Sequence, residues 1–340
     1  MSHTRYLFGV VSTRSGAIFR AVLGFSRHVV WLLAFAAASA PAWGGSPRAE
    51  HVFLISIDGG KPAVIAQSKM PTLKQLAYEG ACTWRATTIF PCVTLPSHAS
   101  MLTGVSPAKH KIFWNVWKPK AGVVDVPTVF SEAKKAGYST AMFVGKEKFR
   151  HLAVPGSVDC FHYNCEQSRE VIKPVLASDR MEKSETVPAR IVAQDAARYI
   201  RERTPSLCFI HFTDPDDIGH KYGWGSREQI NAFEDVDEAL GMVLQALEAA
   251  NITSESVVIV TADHGGHGKT HGLNIPADME IPWIVWGRGA KRGFTITQPV
   301  ATFDTAVTAL WLLGVPRLDS IDGHVIDSAF EFHPASKAGG

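Results

Sequence analysis

The chain has 340 residues and is 46% hydrophobic, enough for one large domain or two small ones around a sizeable core. Its 34 basic residues are nearly matched by 32 acidic ones, for a formal net charge of +2, so it carries no basic footprint for nucleic acid. Its five cysteines are an odd number, which leaves at least one thiol free or bonded to another chain.

Arg5, Arg14, Arg20 and Arg27 lead into the apolar run 29–38 and the small residues Ala40, Pro41 and Ala42. That layout predicts a signal peptide over residues 1–42 and a secreted or periplasmic protein. The run is short for a bilayer, so no stable membrane span is expected after cleavage; an uncleaved N-terminal anchor is the alternative. Loss of the four arginines takes the formal charge from +2 to about −2. In an oxidising compartment Cys160 and Cys165 are spaced to pair, Cys82 with Cys92 is a candidate second pair, and Cys208 reads as a buried thiol.

From His51 onward strands and helices alternate. Residues 52–57 read as a buried strand ending at Asp58-Gly59-Gly60, and 71–79 as a helix with Pro71 at its start and Gly80 at its stop. Helices follow at 96–103, ended by Gly104, and 128–136, ended by Gly137, then a strand at 139–144. A polar irregular section, 146–185, reads as a small cap insertion within a catalytic domain spanning residues 50–330. Next come an amphipathic helix at 187–203, a strand at 207–212, and a long helix opened by Ser226 with Gln229 in a capping-box arrangement. Residues 257–261 form a strand that runs into Asp263, His264, His267 and His271 in a glycine-rich turn, before a strand at 282–286 and a closing helix at about 305–313. This order predicts an α/β fold with a mostly parallel central sheet and helices on both faces.

Such sheets place their sites at the carboxyl ends of the strands. Asp58, Asp216 and Asp263 each follow a strand, so a parallel arrangement gathers them on one edge. His220 lies four residues after Asp216 and shares its face if a helical turn forms; Asp217 points away. Aspartate oxygens and histidine nitrogens are ligands for zinc or a similar divalent cation. Thr94 sits just before Pro96, at the head of a helix whose N-terminus is a seat for an anion. Taken alone it reads as a helix cap, but beside acids and histidines its hydroxyl reads as a nucleophile that a cation can activate.

A strand followed by Asp-Gly, a Thr-x-Pro-x-His stretch (94–98), a Pro-Asp-x-x-Gly-His stretch ending at His220 and an Asp-His-Gly stretch (263–265) occur here in that order. In this the chain resembles the type I phosphodiesterase and nucleotide pyrophosphatase branch of the alkaline phosphatase superfamily. The resemblance covers roughly residues 50–330 and implies an alkaline-phosphatase-like fold with two divalent metal ions, expected to be zinc. One would be held by Asp216, His220 and His271, with His267 and His324 as alternatives for the last. The other would be held by Asp58, Asp263 and His264, with Thr94 on it as nucleophile. The reaction implied is hydrolysis of a small-molecule phosphate ester through a phospho-enzyme on Thr94. Phosphodiester or pyrophosphate is the expected substrate, and nothing in the sequence fixes an oligomeric state.

Ser97 stands where this branch commonly has an asparagine that donates to the phosphoryl oxygen, so it is a candidate substrate contact. Lys146 and Lys148 resemble the paired lysines of phosphonoacetate hydrolases; read from the residues alone they are a solvated loop pair. That pair and Ser97 keep a monoesterase or phosphonoacetate-hydrolase-like activity open as the alternative. Trp114 and Trp117 fit either the core or a stack on a leaving group, and the specificity pocket is expected in the 146–185 section and the 113–126 loop. Sulfatases share the fold and the Asp-His pair, but Thr94 cannot become formylglycine and the arginine of their motif is replaced by His98. A catalytically inactive metal- or anion-binding module is the reading from another class.

Overall fold

Val52, Phe53, Leu54, Ile55 and Ile57 are all excluded from solvent in the computed structural model, which describes residues 46–163, 186–316 and 320–332. A run this apolar is stable only where both faces of a strand are covered. It lies at the centre of a sheet made of β1 (His51–Ile57), β2 (Ala81–Thr87), β3 (Thr140–Val144), β4 (Cys160–His162), β5 (Leu207–Phe212), β6 (Ser256–Ala262), β7 (Glu280–Gly287) and β8 (Phe294–Thr295). Among the described residues the strand order is β4-β3-β5-β1-β6-β7-β2-β8. Every neighbouring pair is parallel except those that β7 makes with β6 and β2. The mostly parallel α/β sheet expected from the sequence is therefore present, with an antiparallel strand toward one edge.

Because strand side chains alternate, β1 serves two cores at once. Val52 and Leu54 join one cluster while Phe53, Ile55 and Ile57 join the other, and β6 splits its valines and Ile259 in the same way. The helices in chain order are α1 (Pro62–Gln67), α2 (Pro71–Glu79), α3 (Thr94–Thr103), α4 (Pro107–His110), α5 (Val129–Lys135), α6 (Ala189–Arg203), α7 (Asp214–Tyr222), α8 (Arg227–Ala249), α9 (Pro276–Met279) and α10 (Asp304–Leu312). Helices α3, α5 and α10 cover the first face; α2, α6 and α8 cover the second. The punctuation read from sequence is used as expected: Gly104 ends α3 in the left-handed region at φ 70, and the Ser226 hydroxyl accepts from Gln229 N at the start of α8. The Gln229 amide departs from a strict capping box, since it accepts from Gly225 N and donates to Pro215 O, tying α8 to the start of α7.

Strand β2 was not legible in the sequence. Its residues alternate between buried and half-exposed, and its register with β7 shifts between Thr83 and Ala86, so no apolar run marks it. The 146–185 section is corrected at its start: a turn of 3-10 helix at Glu147–His151 leads to β4, which pairs with β3 as part of the main sheet. The remainder of that section, with Cys165 and its expected pairing to Cys160, lies outside the described residues, as does the expected signal over 1–42. The Cys82–Cys92 pairing is also corrected: both thiols are free, and the Cys92 thiol donates to Leu273 O at 3.2 Å. Among the described residues no helix is long and apolar enough to cross a membrane.

Trp283 on β7 is fully buried, and its Nε1 donates to Thr305 Oγ1 on α10 at 3.1 Å. Trp283→Ala is expected to cost about 3–5 kcal/mol in urea unfolding, the range for truncating a large core aromatic. A loss below about 1 kcal/mol would mean that β7 is not integral to the core.

Candidate metal and catalytic centre

Strands β5, β1 and β6 are neighbours in register, with Ile57 level with both Phe212 and Ala262. Asp58 and Asp263 therefore leave the sheet side by side, and Asp216 joins them from the first turn of α7. All three carboxylates are buried, as is His264. Asp216 Oδ1, His220 Nε2 and His271 Nε2 converge, with the histidine nitrogens 3.4 and 3.5 Å from the carboxylate and 3.1 Å from each other. Beside them, His264 Nε2 lies 3.4 Å from Asp58 Oδ1, 3.2 Å from Asp263 Oδ2 and 4.0 Å from Asp216 Oδ1. The two groups are thus continuous, and Asp216 reaches toward both.

The protons on these rings follow from their outer partners. His220 Nδ1 faces Lys269 O, His264 Nδ1 faces Gly265 O and His271 Nδ1 faces Cys92 O, at 2.9–3.0 Å. A carbonyl only accepts, so each Nδ1 carries the hydrogen and, in the neutral ring, each Nε2 turns a lone pair inward. His220 and His271 then face each other lone pair to lone pair, an arrangement that calls for a positive charge between them. Asp58 Oδ1, Asp216 Oδ1, Asp263 Oδ2 and His264 Nε2 are buried without a hydrogen-bond partner. Each such orphan costs about 1–3 kcal/mol unless something fills the gap. The donor set of carboxylate oxygens and imidazole nitrogens fits divalent cations of the zinc type. His267 and His324 belong to neither group: His267 Nδ1 is bound to Asp278 Oδ1 at 2.7 Å, and His324 is 75% exposed beside Asp304.

Two further residues hold the acids in place. Lys146 Nζ sits 2.7 Å from Asp58 Oδ2 and 2.6 Å from Asp216 Oδ2 and is only 6% exposed, which corrects the solvated-loop reading for this residue. His211, buried on β5, places Nε2 3.0 Å from the same Asp58 oxygen. Burial pushes the Asp58 carboxyl up, but Lys146 and the two histidines His211 and His264 outweigh it and hold it well below the usual range. Burial likewise opposes the charge on Lys146, and Asp216 and Asp58 overcome it, keeping the ammonium charged. Asp263 is pushed well above its ordinary value by burial and by the charge of Asp58. His264 is disfavoured as a cation by burial, yet Asp263 and Asp58 raise it to about 9. The cluster therefore takes up positive charge avidly, as a proton or as a cation that displaces it.

Trp224 explains why glycines surround the centre. Its ring lies where a Cβ on Gly266 would fall 2.2 Å from Cε2, and Cβ atoms on Gly59 and Gly219 would meet it at 3.2 and 3.0 Å. With Nε1 3.3 Å from Gly59 O and its ring edge-on to His220, Trp224 packs the glycine turn against the candidate ligands.

Thr94, the first residue of α3, lines a cavity of about 300 Å³ together with Asn115, Trp117, Lys148, Asp216 and His271. Its hydroxyl makes no hydrogen bond among the described residues, while its carbonyl accepts from His98 Nδ1 at 2.7 Å, a ring fixed in turn by Ser56 Oγ at 2.8 Å. Ser97 departs from expectation: its hydroxyl is fully buried, donating to Asp263 O and paired with Thr88 Oγ1, both at 2.8 Å, so it braces a candidate ligand and does not face the cavity. An amide is found instead at Asn115, whose Oδ1 accepts from Leu95 N at 2.9 Å and Lys148 Nζ at 3.1 Å, leaving its NH2 without a partner among the described residues. Nothing in the irregular 113–126 loop marks Asn115 in sequence. Trp117 lines the cavity whereas Trp114 packs on the core.

Residues 52–274 match the sequence profile of the type I phosphodiesterase / nucleotide pyrophosphatase family. The chain belongs to this family. Ectonucleotide pyrophosphatase/phosphodiesterase 1 of Saccharomyces cerevisiae is 27% identical over 248 residues, which are 62% of this chain and 33% of that protein, so the phosphodiesterase-family chain spans only about a third of this relative. Among solved structures, murine ectonucleotide pyrophosphatase/phosphodiesterase 5, an inactive variant in complex with AMP, superposes with a TM-score of 0.65 at 15% identity, covering 83% of this chain and all of that one. A putative sulfatase from Bacteroides thetaiotaomicron gives the same TM-score at 16% identity over 86% of this chain and 76% of its own. At such identities these neighbours establish the alkaline-phosphatase-like fold.

Gly266→Ala is expected to displace Trp224 and to lower stability by about 1–3 kcal/mol, the cost of overpacking. Adding Trp224→Leu should recover part of that loss, so that the two changes are not additive; simple additivity in urea unfolding would show that the glycine is not there for the ring.

Proposed function

We propose that this chain is a secreted or periplasmic metal-dependent phosphoesterase that cleaves phosphodiester or pyrophosphate bonds in small molecules, with Thr94 as nucleophile. The observation that carries the reading is the Thr94 hydroxyl, free of hydrogen bonds among the described residues, on the cavity wall that also bears Asp216 and His271. The murine relative of the same fold is a threonine-to-alanine variant described as inactive and holds AMP, which supports both the nucleophile and a nucleotide-sized substrate.

Asp216, His220 and His271 would hold one zinc ion, and Asp58, Asp263 and His264, with Thr94, a second. Bound there, the cations supply the Lewis acidity that stabilises charge on phosphoryl, entering and leaving oxygens. The rest is done by the chain itself. The N-terminus of α3 directs its dipole at the phosphoryl group, and Asn115 offers two amide hydrogens to its oxygens. Lys148, half-buried, adds a cation from the cavity wall. Lys146 acts differently, since its ammonium is already shared by Asp58 and Asp216 and serves to fix them. Thr94 Oγ1 attacks phosphorus as its proton passes to water, and the bond to the leaving oxygen breaks, so that the threonine is esterified to the remaining half of the substrate; water then adds to phosphorus, the Thr94–phosphorus bond breaks, and the threonine oxygen takes back a proton.

Bis(4-nitrophenyl) phosphate should be hydrolysed by the purified protein faster than 4-nitrophenyl phosphate. Thr94→Ala should lower that rate about a thousandfold or more, while Asp58, Asp263 and His264 keep the metal content largely intact. Preference for the monoester or for a phosphonate would favour the alternative in which Lys148 recognises a second negative charge. Metal binding without turnover of any ester would point to an inactive binding module.

A further inference from the structure

The 113–126 loop contributes Asn115, Val116 and Trp117 to the cavity, yet apart from one 3-10 turn at Pro119–Ala121 it has no regular structure, and Phe113 and Val116 are each 56% exposed. A surface loop of this kind is held only by what grips it. Most of the grip comes from His151, a fully buried residue outside the cavity lining. Its Nε2 accepts from Lys118 N at 3.0 Å and from Trp114 Nε1 at 3.3 Å, and its Nδ1 donates to Gly122 O at 2.5 Å. Its carbonyl also accepts from Val124 N at 2.8 Å, and the Trp117 ring packs against the imidazole with centroids 4.5 Å apart. Two donors on one nitrogen and a carbonyl on the other fix a single neutral tautomer. His151 closes the same 3-10 turn that begins beside Lys146 and carries Lys148, so one short segment anchors both walls of the cavity.

We propose that His151 is the positioning residue that sets substrate affinity: it holds the loop from Trp114 to Gly122 so that Trp117 and Val116 close on the substrate's leaving group, without itself touching substrate. This rests on the phosphoesterase reading of the site. Asn115 keeps its own bonds to Leu95 and Lys148, and His151 touches none of the residues assigned to metal, so its loss weakens binding more than chemistry.

The test compares wild type with His151→Leu, which removes all three side-chain hydrogen bonds, and His151→Gln, which restores an acceptor near the Nε2 position. For bis(4-nitrophenyl) phosphate, His151→Leu is expected to raise KM about tenfold with kcat within about threefold and metal content unchanged, and His151→Gln to recover much of the loss. Hydrogen exchange on the resting protein should speed up over residues 113–124 in His151→Leu, at the Lys118 amide above all. Trp114→Phe, which deletes one donor and keeps the ring, should give a smaller rise in the same direction and serves if the leucine variant does not fold. Unchanged KM, or a fall in kcat and metal content with KM intact, overturns the proposal. Unchanged loop exchange overturns it whether or not any ester is turned over. Wild type that hydrolyses no ester counts against the phosphoesterase reading, and the exchange result then still decides whether His151 holds the loop.

Discussion

Three carboxylates buried side by side at one sheet edge cannot coexist without positive charge among them, and the surrounding structure answers that constraint. Each of Asp58 and Asp216 turns one oxygen to the Lys146 ammonium and leaves the other without a partner. Lys146 supplies a single charge and satisfies only the outer oxygens. The inner ones, with the inward-facing nitrogens of His220, His264 and His271, form a continuous polar lining at which divalent cations are the matching complement. Taking one partner out of such a cluster uncovers the others, which is why the outer holders matter as much as the candidate ligands.

That demand propagates into the backbone. The histidine orientations depend on carbonyls at Cys92, Gly265 and Lys269, which come from two loops that must lie against each other. Gly266 leaves room for Trp224 to pack the turn, Asp278 ties it down by accepting from Leu273 N and holding His267, and the Cys92 thiol donates to Leu273 O across the two loops. On the other wall, α3 is anchored by His98 and by Ser97 from beneath, so Thr94 is presented by a rigid element while the facing wall is an irregular loop. The proposed nucleophile thus stands on a rigid element opposite an irregular wall, an arrangement that would keep the chemistry fixed while the specificity surface varies.

The sheet and most helices were legible in the sequence because strands buried on both faces read as unbroken apolar runs and helices are bounded by Pro and Gly. Strand β2 was not, since its half-exposed pattern and register shift leave no such run. The candidate ligands were legible because a parallel sheet turns the positions after Ile57, Phe212 and Ala262 into neighbours. What escaped were residues that reach the centre from elsewhere: His211 looks like one more member of a buried strand, Asn115 and Trp224 lie in loops with no periodicity, and Lys146 carries the composition of a solvated turn. Ser97 was misjudged for a related reason, because a hydroxyl on a helix has the same sequence whether it faces a cavity or, as here, a neighbouring carbonyl.

On the proposed reading the orphaned inner atoms hold metal. Elemental analysis of the purified chain, alongside Asp216→Ala, tests it most directly. The account predicts about two divalent ions per wild-type chain, with occupancy of both lowered in the variant because Asp216 reaches toward both groups. A wild-type chain that hydrolyses phosphodiesters with no bound metal, and is indifferent to chelators, would contradict it.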